Sequence, residues 1–150
     1  MKFVLSEAWH GDSLTIKPSW TKGGVGRTLK IVNDSQRQWL NKVANLVKPK
    51  QSLIPQDRTY KQHLSHYEAQ SKAIGIHKLH GLRHAYAQQR YFELTKLFDP
   101  KNKGFACPIA GGKPTKLLTA SEKIIDKKAR EILSRDLGHS RISVTRIYCG

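Results

Sequence analysis

Leu79-His80-Gly81-Leu82-Arg83-His84-Ala85-Tyr86-Ala87 opens one helical pattern of the chain, and Leu137-Gly138-His139-Ser140-Arg141-Ile142-Ser143-Val144-Thr145-Arg146-Ile147-Tyr148 closes another. Both put histidine beside arginine. His80 and Arg83 are three apart at the start of a helix, so they share one face and can converge on a single phosphate. His139 and Tyr148 lie nine residues apart across a helix end. A phenol, whose ordinary pKa is about 10, is a poor nucleophile at neutral pH unless cations stabilise the phenolate, and guanidinium groups bound to the same phosphate do this.

The surrounding pattern is mostly helical. Ile125, Ala129, Ile132 and Leu133 form a stripe after the capping box Thr119/Glu122, and Gly138 is the C-terminal cap; Ser140 can cap one more short turn. Upstream, a helix is predicted over about 82–98 with Ala85, Tyr86, Phe92 and Leu97 on its apolar face. Another is predicted over about 59–73 with Tyr60, Leu64 and Tyr67 inward. Asn33-Asp34-Ser35 caps a third, with Trp39, Leu40, Val43, Leu46 and Val47 on one face before Pro49. Residues 13–32 read as two strands around a tight Gly23-Gly24 turn, carried by Leu14, Ile16, Leu29, Ile31 and Val32, with Pro18 marking an edge. Phe3 to Trp9 would be a preceding strand or a helix end. Residues 99–118, rich in Lys, Gly and Pro, read as a long exposed loop. The predicted fold class is therefore α+β: a small antiparallel β-hairpin sheet packed on a helical bundle, in one domain over 1–150.

Composition narrows the partner. The 150 residues carry 27 Lys and Arg against 11 Asp and Glu, a formal charge of +16, and 38% are hydrophobic. Basic residues outnumber acidic ones in every third of the chain, 9 to 3, 7 to 4 and 11 to 4, so the charge belongs to a folded surface and not to a tail. A polyanion, nucleic acid first, is the expected partner. No run approaches the roughly 18 apolar residues of a membrane span, and the start has no signal-peptide core. The expected location is the cytoplasm, on the nucleoid. Only Cys107 and Cys149 are present, which excludes a disulfide framework or a multi-cysteine zinc module. No nucleotide-binding glycine loop occurs.

His80-x-x-Arg83 with His84, then Leu137-Gly138-His139, then Tyr148, resembles the catalytic signature of tyrosine recombinases of the phage-integrase type. Thr21-Lys22-Gly23-Gly24-x-x-Arg27 resembles the hairpin turn on which that family carries its catalytic lysine, so the likeness runs over nearly the whole chain. It implies the catalytic-domain fold of that family and a DNA strand transfer that uses neither metal nor cofactor. Tyr148 would attack a scissile phosphate, forming a 3′-phosphotyrosyl bond and a free 5′-hydroxyl. Arg83 would hold non-bridging oxygens, His80 would act as acid or base, Lys22 would protonate the departing oxygen, and His139 would donate to a phosphate oxygen. Arg27, Arg141 and Arg146 would contact the backbone of double-stranded DNA, and the full-length protein would self-associate on it.

The sequence departs from the family's pattern. No arginine precedes Arg27, although the family's first catalytic arginine lies on a helix ahead of the hairpin, and there is no separate amino-terminal DNA-binding domain. The chain ends two residues after Tyr148, and the interval from Arg83 to His139 is long. A truncated catalytic domain is the expectation, with a DNA-binding domain that cannot transfer strands as its first rival. The second rival is a hydrolase using His77, His80 and His84 as metal ligands, but the glutamate base that accompanies paired helical histidines in zinc enzymes is missing between His80 and His84.

Overall fold

The computed structural model describes every residue except Met1, Lys2, Lys22, Lys78 and Leu79. It is mostly helical with one two-stranded antiparallel sheet, as the periodicities require, and it divides into two compact units, Met1–His77 and Lys78–Gly150.

The first unit begins with the short helix α1 (Leu5–Ala8), which buries Leu5 and Ala8. Trp9 then bridges to Leu14, and β1 (Ser13–Ile16) pairs with β2 (Arg27–Lys30) in the register Leu14 opposite Leu29. The connection is longer than the tight Gly23-Gly24 turn expected. Pro18 has no N–H to offer the ladder, so pairing stops at Ile16 and residues Pro18–Trp20 form a 3₁₀ turn instead. Gly26 permits the chain's return: a Cβ there would come within 2.7 Å of the Pro18 ring. The return strand also stops early, leaving Val32 exposed.

Helix α2 (Asp34–Leu46) is capped by Asn33, whose side chain accepts from the Gln36 N–H at 3.1 Å. It buries no residue fully: Trp39 and Leu46 are exposed, while Leu40 and Val43 are half-buried. Trp39, Leu40 and Val43 border an apolar hollow of about 290 Å³ with Phe3, Leu5, Leu14 and Leu53, so the helix lies beside the hairpin as predicted but covers it incompletely. Helix α3 (Tyr60–Ala73) starts at a reciprocal capping box between Thr59 and Gln62. Tyr60, Leu64 and Tyr67, expected inward, are all exposed, and Ser71 is the helix's buried residue.

The second unit has a closed core. Helix α4 (His80–Phe98) buries Ala87, Tyr91, Leu94 and Thr95, a clean helical stripe, and α5 (Ala120–Asp136) buries Asp126, Ala129, Arg130, Leu133 and Ser134 against it. The stripe predicted for α4 was the other face. Tyr86, Phe92 and Leu97 are exposed, because the inward positions include polar groups that find partners: Thr95 Oγ1 accepts from Phe105 N (3.1 Å), and the Tyr91 hydroxyl donates to Asp126. On α5, Ala129 and Leu133 are buried and Ile125 and Ile132 half-buried, as the stripe required. Asp126 also pairs with Arg130, Nε to Oδ1 at 2.8 Å, both less than a tenth exposed.

The loop between these helices is not wholly exposed. Asp99 accepts from the backbone N–H groups of Lys101, Lys103 and Gly104, each at 3.0 Å, which folds the lysine-rich turn. Beyond it Cys107 and Leu118 are buried, and Gly112 passes so close to the Ala106 carbonyl that any Cβ would overlap it. After α5 come a 3₁₀ turn (Ile142–Thr145), which Ser140 does not cap, and α6 (Arg146–Cys149). Leu137, Tyr148 and Cys149 complete the core.

Two outcomes follow from this packing. Leu133→Ala, which empties a fully buried site, should destabilise the protein by about 3 kcal/mol in urea unfolding. Leu97→Ala, 72% exposed, should change it by less than about 0.5 kcal/mol. The α5 cap has an acid dependence as well. The Thr119 N–H, the neighbouring Lys113 and the Thr119 side chain hold the Glu122 carboxyl below its ordinary 4.5, so its contribution is present above that value and lost as pH falls through the lower folded one. Melting-temperature differences between wild type and Glu122→Gln should therefore shrink as pH is lowered from about 6 to about 3.

Candidate active site

Three elements of the second unit meet at one phenol. The first turn of α4 sets His80, Arg83 and His84 on one face through their three- and four-residue spacing. The end of α5 is a Schellman motif: Gly138, at φ +72, lets the His139 N–H reach the Ser134 carbonyl (2.8 Å) and its own N–H reach that of Arg135 (2.9 Å). This turn carries His139 off the helix axis and leaves the Leu137 carbonyl without a helical partner. Helix α6 then presents Tyr148.

Arg83 closes the arrangement. Its Nη2 donates to the Leu137 carbonyl at 2.6 Å and lies 3.1 Å from His139 Nε2, while its Nε donates to the Tyr148 hydroxyl at 3.1 Å. The guanidinium carbon stands 5.6 Å from the phenol's ring centre. The His139 ring stacks on Tyr148 with centroids 5.5 Å apart and planes 19° from parallel. His84 and His80 close the phenol at 4.8 and 6.1 Å, and their own rings are 5.3 Å apart. Tyr148 is only 6% exposed, whereas Arg83, His84 and His139 are half-buried and His80 is exposed, so the cluster opens to solvent on the side of His80.

The charge balance matters as much as the distances. Arg90 is matched by Asp136 at 2.9 Å and Arg130 by Asp126 at 2.8 Å, but no ion pair among the described residues involves Arg83. A half-buried guanidinium with the His139 imidazole against it and no carboxylate partner among those residues favours an anionic ligand. One of its donors points at the Tyr148 oxygen.

Four of the five catalytic residues expected from the sequence, His80, Arg83, His139 and Tyr148, come together here. Lys22 lies outside the described residues. Of the proposed backbone contacts, Arg27 sits on β2 in the first unit, half-buried, while Arg141 and Arg146 are exposed on either side of the 3₁₀ turn that leads to Tyr148. Sequence reasoning placed His84 in the motif but gave it no step in the transfer. Its ring is nevertheless the nearest of the three imidazoles to Tyr148, and its spacing of four from His80 carried that signal. Gln88, which contacts the Tyr148 carbonyl at 3.4 Å, was not anticipated. Cys149 is fully buried, and a hydrogen bond with Cys107 and burial push its thiol up. Among the described residues no three histidine, cysteine or carboxylate side chains are placed to hold one metal ion.

No protein-family model matches the chain, and no curated protein and no solved structure matches it either.

Proposed function

We propose that the chain is the catalytic part of a DNA strand transferase of the tyrosine-recombinase type, with the small hairpin sheet and helical bundle of that family's catalytic domain. The observation that carries the proposal is the meeting of Arg83, His139 and His80 around Tyr148, with Arg83 unmatched by any carboxylate among the described residues. The net charge of +16 agrees with a duplex partner.

In this reading a scissile phosphate enters from the His80 side and takes the guanidinium of Arg83 on its non-bridging oxygens. The Tyr148 oxygen forms a bond to phosphorus as the bond from phosphorus to the 5′-oxygen breaks. The phenolic proton passes to His80, and the departing 5′-oxygen takes one from Lys22. His139 donates to a second phosphate oxygen, so charge that builds on phosphorus is met by fixed donors. Attack by a 5′-hydroxyl reverses the same steps and reseals the strand. One phosphodiester is exchanged for another, so no external energy source is required. Arg27, Arg141 and Arg146 hold the duplex by its backbone and read no sequence.

One observation favours a second reading, a DNA-binding domain of the same fold that cannot transfer strands. Arg83 is the single guanidinium hydrogen-bonded to Tyr148 among the described residues.

A duplex with a nick near the cleavage point traps the intermediate and separates the two. Strand transfer predicts a denaturation-resistant protein–DNA adduct that Tyr148→Phe abolishes, and that Arg83→Lys slows by about a hundredfold or more, because an ammonium cannot reproduce the planar fork. Salt-sensitive binding with no adduct at any time would favour the binding domain. Replacing both Arg141 and Arg146 by Gln should weaken binding to all sequences alike. The slope of log affinity against log salt should fall by about 0.9 for each phosphate that these side chains no longer neutralise.

A further inference from the structure

We infer that Arg130 is a positioning residue for Tyr148, acting through the carbonyl of Gly150. The inference rests on the strand-transfer reading of Tyr148, but its contacts lie outside the cluster of groups around the phenol.

Helix α6 is four residues long, and isolated helices shorter than about 12 residues are marginal in water, so its placement comes from its surroundings. The Gly150 N–H bonds to the Arg146 carbonyl (2.9 Å) within that single turn. On the upstream side the Thr145 hydroxyl donates to the Ile142 carbonyl at 2.7 Å and fixes the entry. On the downstream side Gly150 turns away at φ +86 and its carbonyl accepts from Arg130 Nη2 at 2.8 Å. The other polar contact on that side, Gln88 to the Tyr148 carbonyl, is 3.4 Å long. Arg130 is therefore the firmer of these two tethers.

Arg130 is itself immobilised. Asp126, one helical turn earlier, takes its Nε at 2.8 Å, and the same carboxylate oxygen accepts from the Tyr91 hydroxyl. The guanidinium carbon stands 5.5 Å from the Tyr91 ring centre. Burial, then the hydrogen bond to Asp126, push the Tyr91 phenol up, so it remains a donor. As a stabilising device this network is poor. Both ions are desolvated, and Arg130 Nη1 is buried with no hydrogen-bond partner among the described residues. What it supplies is a guanidinium with one orientation, aimed at the backbone two residues beyond Tyr148.

Two variants of the full chain test this. Arg130→Lys keeps the charge but cannot reach Asp126 and Gly150 at once. The triple variant Arg130→Met, Asp126→Leu and Tyr91→Phe replaces the whole buried polar network by apolar side chains and leaves no hydroxyl unpaired, a change that often leaves stability equal or greater, so it guards against simple unfolding. With saturating nicked duplex, both variants should form the adduct about tenfold to a hundredfold more slowly than wild type. Their DNA affinity, set by backbone contacts, should stay within about twofold. With 3-fluorotyrosine at position 148, the single fluorine resonance of the parent should shift or broaden in both variants. Variants that match the parent in adduct rate and fluorine line overturn the inference, as does a loss of adduct that tracks the unfolded fraction. If the parent itself forms no adduct, strand transfer fails as a function, and the fluorine line alone then decides whether Arg130 fixes the tyrosine.

Discussion

The guanidinium of Arg83 belongs to three elements at once: it starts on α4, satisfies the carbonyl left over where α5 ends, and bonds the hydroxyl carried by α6. Those are the three helices of the second unit, and their core residues, from Ala87 to Cys149, lie directly behind this contact. A helix end normally leaves carbonyls for water or a cap to satisfy. Here the Schellman turn leaves one for an arginine, and the histidine that follows the turn is delivered beside the same arginine. The constraint is therefore both structural and chemical. The residue that closes the end of one helix is the residue that orients the phenol.

Much of this arrangement was legible because its signals are local. The capping box at Thr119, the Asn33 cap and the glycine at 138 depend on a few neighbouring residues, and the helices they begin or end lie where they point. The spacing of His80 from Arg83 places them on one face by helical geometry alone. The nine residues from His139 to Tyr148 are enough for one 3₁₀ turn and one helical turn to fold the phenol back against the imidazole.

What could not be read is the inner face of α4. Its buried positions include Thr95, and Tyr91 faces Asp126 and Arg130 on α5, so polar side chains were inside and Tyr86, Phe92 and Leu97 outside. Apolar periodicity misleads when burial is decided by hydrogen-bond partners that lie 10 to 35 residues away, Phe105 for Thr95 and Asp126 for Tyr91. The same limit applies to α3, where aromatic residues at helical spacing stayed exposed. In the hairpin, the glycines suggested a two-residue turn, but the proline five positions earlier had already ended the ladder.

Asp99 has a wider meaning than the turn it closes. By accepting from three backbone N–H groups within one turn it fixes the chain on which Lys101 and Lys103 stand, while those two side chains remain exposed. Ordering a flexible segment costs about 1 to 2 kcal/mol per residue of backbone entropy. Since folding has already met that cost for the backbone here, an anion drawing on these two lysines would have only their side chains left to order.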